Sequence, residues 1–302
     1  MKIKKIIKLF IPPIIVIFIN LFKKKEKETT SIHPFYSTIS NHKKKSDKII
    51  ILGNGPSLKK QLANSIDILK SNVCVCVNSF VLTEFYSIIK PKVYMLIDPS
   101  FFAQCAVPEI EQEHISIFDN LFSKTTWDVD LVVCSRYKDN DRILKLKENQ
   151  HINILFINRE NYDTFTSKEE QFKLFNQNKI EIPAQTVINT AVYLGIFWRY
   201  KKVILIGADT SWHEDMKVDQ KTNVVYSNDE HFYDSKKRIF YSDTLQTIPS
   251  KLHQEFFAIA KALEYYCLLR EYADYNSVFV YNASGKSWID AFERKELSDF
   301  KL

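Results

Sequence analysis

The chain has 302 residues, 45% of them apolar and 26% charged, enough to bury a sizeable core in one domain with an appendage. Its net charge of +6 is unevenly placed: residues 1–48 carry 12 lysines against three acidic residues, and the remainder has a balance of −3. The body therefore lacks the basic excess of a nucleic-acid-binding surface.

The first 25 residues read as a hydrophobic membrane anchor. Leu9–Phe22 is an apolar stretch of 14 residues, flanked by lysines and interrupted by Pro12-Pro13. It is short for a span, which needs about 20 residues, and no small-residue cleavage site follows. A short span or an interfacial segment gripping anionic lipid fits it best. Residues 26–47 are polar and basic and read as a linker. The remaining residues, 48–302, form the expected catalytic domain.

From Lys48 onward short apolar strands alternate with longer segments. Candidate strands are Lys48–Leu52, Val73–Val77, Val93–Ile97, Asp130–Cys134, Ile152–Ile157, Val203–Gly207 and Ser277–Tyr281. Their spacing is that of βα crossovers, not hairpins. The expected fold class is α/β, a doubly wound, mainly parallel Rossmann-like sheet. Two helices stand out, Gln185–Arg199 and Lys251–Tyr272, the second with Phe256, Phe257, Ala260, Leu263, Tyr266 and Cys267 at helical spacing. Residues 208–250 show no period and read as a lid or binding segment. The five cysteines include no CxxC pair, which argues against a disulfide framework or a zinc site and fits a reducing compartment.

Ligands of open parallel sheets bind beyond the carboxyl ends of the strands. Four such ends are rich in small polar groups: Gly53-Asn54-Gly55-Pro56-Ser57, Asn78-Ser79, Asp98-Pro99-Ser100 and Gly207-Ala208-Asp209-Thr210-Ser211. The first holds two of only five glycines, which predicts positive φ or close approach by a ligand, with backbone amides cradling a phosphate. No GxxxxGK[ST] occurs, and Pro56 breaks the GxGxxG pattern, so a Walker-type NTPase and a dehydrogenase are both disfavoured. Asp209, Glu214 and Asp215 offer oxygen ligands that could hold Mg²⁺ on a diphosphate, without a DxD spacing; a solvated loop explains Glu214-Asp215 as well. The turn Ser284-Gly285-Lys286-Ser287 could reach a phosphate through Lys286, or be a plain loop.

GNGPSL after the first strand, the CVNSF strand end and the unit from Thr186 to Asp209 resemble the bacterial sialyltransferases of glycosyltransferase family 42. They also resemble the related MptE-like domain (domain of unknown function 115), named after a methanogen pterin pyrophosphokinase and recurring in flagellin glycosylation proteins. The resemblance implies a Rossmann-like, GT-A-variant transferase that takes a sugar from a CMP donor with no obligatory metal. It implies donor contacts at Gly53, Asn54, Gly55, Ser57, Asn78, Asp98, Thr186, Asp209 and Ser211. Ala184 stands where that family has arginine and Ser211 where it has tyrosine on the donor phosphate, so the sugar need not be sialic acid itself; Tyr226, Tyr233 or Lys236 could substitute.

Inverting glycosyl transfer needs a base for the acceptor hydroxyl, and histidine suits neutral pH. His253 ranks first because it precedes the KALEYY helix as the family's base precedes a KALEFL helix. His231 ranks second, with Asp229 or Glu230 to orient it, and His213 third. The expected partners are a nucleotide-sugar donor, a glycan or glycolipid acceptor and a membrane surface at the cytoplasmic face of a bacterial inner membrane; homo-oligomerisation stays open. Two other readings compete: an ATP- and Mg²⁺-dependent pyrophosphokinase, and a non-catalytic nucleotide-binding envelope protein.

Overall fold

The computed structural model describes residues 46–157, 167–177, 184–232 and 234–300, without the side chains of 228–230 and 234–237. The expected anchor, and the linker up to residue 45, lie outside them. The chain divides into Met1–Thr38 and Ile39–Leu302, and every described residue belongs to the second unit. Among the described residues no helix is long and apolar enough to cross a membrane.

In chain order the first half holds β1 (Lys48–Leu52), α1 (Leu58–Ser71), β2 (Val73–Val77), α2 (Phe85–Ile89), β3 (Val93–Leu96), α3 (Pro108–Lys124), β4 (Val129–Cys134), α4 (Asp141–Leu146) and β5 (Ile152–Ile157). The second half holds α5 (Lys168–Asn176), α6 (Val187–Phe197), β6 (Lys202–Ile206), β7 (Lys217–Val218), β8 (Val225–His231) and β9 (Asp234–Ile239). It ends with α7 (Leu252–Tyr275), β10 (Phe279–Asn282) and β11 (Glu293–Arg294). One sheet has the order β11-β10-β6-β1-β2-β3-β4-β5, with every neighbouring pair parallel. This is the doubly wound α/β fold that the alternating pattern predicts. The chain leaves β1 on the β2 side and returns on the β6 side, so the topological switch lies between β1 and β6, where such sheets bind ligands.

The central strands β1, β2, β3, β4 and β6 are buried on both faces, which is why they read as apolar runs. Successive residues of a strand face opposite sides. Ile50, Leu52, Cys74, Cys76, Tyr94 and Leu96 pack in one core with Leu58 and Leu62 of α1, Ile117 and Leu121 of α3, and Ile143 of α4. On the other side Ile49 and Val203 meet α6, so closely that a Cβ on Gly195 would lie 2.9 Å from Val203 Cγ2.

The structure shifts several element ends for local reasons. The sixth strand stops at Ile206 because Gly207 takes φ +60. The helix expected over Gln185–Arg199 begins after the Thr186 cap and ends before Arg199, which is at φ +63. The final strand starts at Phe279, since Ser277 is at φ +54 and the Val278 amide donates back to Ala273 O at the close of α7. Along α7 the apolar spacing misleads: Phe256, Phe257 and Cys267 are exposed, and Ala262, Tyr266, Leu269, Tyr272 and Ala273 are buried.

The segment 208–250 is not a structureless lid. It carries a second, antiparallel sheet β7-β8-β9, with Ser227 opposite Arg238 and His231 opposite Asp234. Phe232, in the β8–β9 turn, is buried, with its ring 5.7 Å from Phe80 and 6.3 Å from Phe85. That anchor fastens the hairpin to the main domain beside the end of β2.

Candidate functional site

A cleft of about 710 Å³ runs along the carboxyl ends of β6, β1, β2 and β3, walled by the start of α6, by α7 and by the β8–β9 hairpin. Its floor is made where the loops after β1 and β6 touch. The Gly53 amide donates to Ile206 O and the Gly55 amide to Gly207 O, both at 2.9 Å. A Cβ on Gly53 would lie 2.3 Å from Gly207 O, and one on Gly55 would lie 2.5 Å from Asp209 Cγ. Of the glycines only Gly207 has a positive φ. The expectation of a glycine turn shaped by a ligand or by left-handed backbone is therefore corrected at Gly53 and Gly55: they are small because a neighbouring loop presses on them.

The same contacts correct the amide-cradle expectation. The Ser57 amide donates to Asp209 Oδ2 at 2.9 Å, the Leu58 amide to Gly55 O at 3.0 Å, and Pro56 has no N–H. With Gly53 and Gly55 also committed, this turn has few donors left for a phosphate. What it offers is the opposite polarity. Asn54 Nδ2 donates to Val77 O at 3.1 Å, which fixes the amide orientation, and Asn54 Oδ1 is buried without a hydrogen-bond partner among the described residues. Asn78 Oδ1 is in the same condition, on a residue held at φ +51. Buried acceptors without partners are costly and call for a donor. A sugar hydroxyl or an exocyclic amino group supplies one.

The β6 and β10 ends of the cleft are densely bonded. Ser57 Oγ donates to Asp209 Oδ1, so Ser57 and Asp209 serve each other and Ser57 does not line the cleft. The turn after β10 braces the one after β6: Ala208 N donates to Ser284 Oγ at 3.0 Å and Ser287 Oγ donates to Ala208 O at 2.6 Å. Lys286 lines the cleft and pairs with Glu214, which also accepts from Trp288 Nε1 at 3.0 Å. That pairing holds the Glu214 carboxyl below its ordinary value and lifts the Lys286 ammonium. Asp209, Glu214 and Asp215 do not converge as a ligand set, so they do not fit the Mg²⁺ site weighed above. The trio whose ligand atoms converge among the described residues is Cys105, Glu111 and His114. There Arg142 occupies Glu111, and burial pushes the Cys105 thiol up and the His114 imidazole down, leaving both neutral.

Burial also raises the Asp209 carboxyl, against the lowering pull of the Ser57 donors and Lys286. A raised folded value means that the folded chain holds this proton more tightly than the unfolded chain does. Its stabilising contribution is complete below the unfolded aspartate value and is lost as pH rises through the folded value. The urea midpoint of the wild type, relative to that of Asp209→Asn, is expected to fall as pH rises through that window. A difference independent of pH would contradict the assignment.

The hairpin wall brings one histidine to the cleft. Asn54 O accepts from Phe232 N at 3.2 Å and lies 3.2 Å from His231 Nδ1. A carbonyl only accepts, so Nδ1 carries the proton and Nε2 is the basic nitrogen of the neutral ring. Behind it Arg238 pairs with Glu113 at 3.2 Å, and Glu113 accepts from Ser79 Oγ at 2.8 Å.

Of the residues expected from the sequence, the cleft gathers Gly53, Asn54, Gly55, Asn78, Asp98, Thr186, Asp209, Ser211 and His231. Thr186 is also the cap of α6, accepting from Asn189 N at 3.2 Å. His253 is exposed and does not line the cleft, because it lies off the face of α7 that carries Glu255, Ala258, Ile259 and Ala262 to it. The ring of His213 packs edge-on against Trp288, 4.5 Å between centroids, also off the cleft lining. Tyr226 is not among the cleft-lining residues; Tyr233 and the side chains of Asp229, Glu230 and Lys236 lie outside what the structure describes. Sequence reasoning missed Glu113, His114, Arg238, Gln246 and Tyr266. Tyr266 looked like core and is buried, its phenol pushed up to about 12, yet it borders the cleft beside Thr186. No spacing signal marks the others, since each comes from an element whose inward face is set by packing.

No curated protein matches the chain. The solved structure of MAf glycosyltransferase from Magnetospirillum magneticum AMB-1 aligns with a TM-score of 0.49 at 12% identity, over 85% of this chain and 34% of that one. This chain thus spans about a third of the length of that protein. The model of one family, described as 6-hydroxymethylpterin diphosphokinase MptE-like, matches residues 20–215. That match covers well over half of the sequence, and the chain belongs to the MptE-like family, the second of the two resemblances read from GNGPSL.

Proposed function

We propose that this chain is a glycosyltransferase that moves a CMP-activated acidic sugar, such as a sialic-acid-like sugar, onto a cell-envelope glycan or glycolipid. His231 is the general base. The observation that carries the reading is the 3.2 Å approach of His231 Nδ1 to Asn54 O, which ties a histidine to the loop at the topological switch. The acceptor O–H bonds to the anomeric carbon as the bond from that carbon to the CMP phosphate oxygen breaks. The acceptor proton goes to His231 Nε2, and CMP leaves with the bonding electrons. Lys286, at the cleft edge, is a cation for the departing phosphate, exchanging Glu214 for it. The unmatched carbonyls of Asn54 and Asn78 take donor hydroxyl or amino groups.

The lysine-flanked segment Leu9–Phe22 would hold the domain at the cytoplasmic face of the membrane, close to an amphiphilic acceptor. A second reading follows from the family's description: ATP-dependent diphosphoryl transfer to a pterin alcohol. The acidic groups at the β6 end favour it by type, but Asp209 is committed to Ser57, and Asp209, Glu214 and Asp215 do not converge as a ligand set.

One assay separates the two. The purified chain is incubated with CMP-, UDP- and GDP-sugars, and in parallel with ATP, Mg²⁺ and a hydroxymethylpterin, and released nucleotide is followed. CMP release from a CMP-sugar is the expected result. AMP release with none from any CMP-sugar would overturn the glycosyltransferase reading.

A further inference from the structure

Next to the main cleft, on the β3 side, lies a chamber of about 310 Å³ that opens into it through Asp98, Ser100, Arg238, Phe240 and Gln246, all of which line both spaces. We propose that this chamber is the acceptor subsite, that it takes the hydroxyl-rich ring of an uncharged sugar, and that Gln246 is its specificity-determining residue. The proposal rests on the glycosyltransferase reading above and names the substrate class of the second half of that site.

Three observations carry it. The first is position. Across the sheet order β6-β1-β2-β3, the β6 end holds Thr186, Asp209 and Tyr266, the middle holds His231 on Asn54, and the chamber lies beyond, at Asp98 after β3. An acceptor in the chamber would present its hydroxyl to His231 from the side opposite the β6 end. The second is lining chemistry. Asp98 and the Gln246 carbonyl accept hydrogen bonds, Arg238 and Ser100 donate them, and Phe240 and Tyr241 supply ring surface. Two carboxylates, Asp98 and Asp243, line it beside a single guanidinium, Arg238, which already pairs with Glu113, so the lining disfavours an anion and suits an uncharged ligand rich in hydroxyl groups. A sugar ring has those properties, and the volume is at the low end of small-ligand pockets, about 300–1,000 Å³.

The third is the state of Gln246. Its backbone is at φ +59, and its side-chain Oε1 is buried without a hydrogen-bond partner among the described residues. Both conditions are unfavourable for a residue with a side chain, and such costs persist only where surrounding structure enforces them. Here it does. The two Asp243 carboxylate oxygens accept from Thr247 N at 2.9 and 3.1 Å, and Oδ1 also from Ile248 N at 2.7 Å. Ser242 N donates to Ile248 O at 2.9 Å, and Ala106 N donates to Leu245 O at 2.8 Å, latching the loop to the segment before α3. The loop is built to hold Gln246 in this state, and a ligand hydroxyl donating to Oε1 completes it.

The test uses the full chain, with methyl glycosides of galactose, glucose, mannose and N-acetylglucosamine as probes, followed by saturation-transfer NMR with and without CMP. CMP affinity is measured separately by calorimetry. At least one glycoside is expected to bind, alone and together with CMP. Gln246→Leu removes the carbonyl. Thr244→Trp fills the chamber from an exposed position and needs no change in the core. Each is expected to weaken the glycoside about tenfold or more, with CMP affinity within about twofold and thermal unfolding unchanged. A glycoside signal that survives both variants, or is displaced by CMP, overturns the proposal; so does the absence of signal from all four probes. If glycosides bind in the chamber and CMP does not bind at all, the subsite stands and the CMP-donor reading fails.

Discussion

Replacing His231 by asparagine is expected to lower kcat for sugar transfer about 10²–10⁴-fold, the usual range for losing a general base. Asparagine is the informative choice because its side-chain amide can still donate to Asn54 O, 3.2 Å from Nδ1 in the wild type. The hairpin keeps this tether, together with the Phe232 amide bond to the same oxygen and the Phe232 ring against Phe80. Only the basic nitrogen is lost, so CMP affinity should change by no more than about twofold. His253→Ala should leave kcat within the same margin, since that residue is exposed off the cleft. Steady-state kinetics on both variants decide the matter: a large loss for His253 with little for His231 would reverse the assignment of the base.

The second large effect is expected at Gly53. A Cβ there would meet Gly207 O at 2.3 Å, Gly207 C at 2.8 Å and Ala208 Cα at 3.0 Å, all of them backbone atoms that cannot swing aside. Gly53→Ala must therefore part the β1 and β6 loops and stretch the Gly53–Ile206 and Gly55–Gly207 hydrogen bonds that close the cleft floor. Overpacking of this kind costs about 1–3 kcal/mol or more. In a chain of this size each kcal/mol lowers Tm by about 2–4 °C. Gly285→Ala is the control: the nearest atom to its added Cβ is Ser57 Cβ at 3.6 Å, ordinary van der Waals contact. Thermal unfolding of the two variants should differ clearly in favour of Gly285→Ala, and equal Tm values would refute the pressed-loop account.

The two effects reflect different layers of the molecule. Gly53 belongs to the floor, where parallel strands force two loops together whatever ligand comes. His231 belongs to a wall that the main sheet does not need, fastened by Phe232 and by the Arg238–Glu113 pair. Chemistry carried on the wall can change while the floor stays fixed, which suits a fold that hosts more than one transfer reaction.

How much was legible depended on the range of the interactions involved. The runs KIIIL and VCVCV announced β1 and β2 with the observed bounds, because strands covered on both faces show as local apolar runs. The β8–β9 hairpin was illegible for the converse reason. Its Ser227 is buried toward the cleft, so the alternation that marks a half-buried strand is not written in apolar residues. Likewise GNGPS pointed to a loop that lines the cleft, but for the wrong cause. Two close glycines show that something approaches, and the sequence does not say whether it is a ligand or the backbone of Gly207, more than 150 positions away.

By itself the sequence determined the parallel α/β sheet, the polar strand ends and the family, since apolar runs, crossover spacing and turn residues act over a few neighbours. Only tertiary structure decided which of His213, His231 and His253 meets the cleft, why Gly53 and Gly55 have no side chains, and that the side-chain carbonyls of Asn54, Asn78 and Gln246 are unmatched among the described residues. Those facts depend on which distant segments are pressed together, and burial and hydrogen-bond partners are properties of that packing, not of any single stretch of chain.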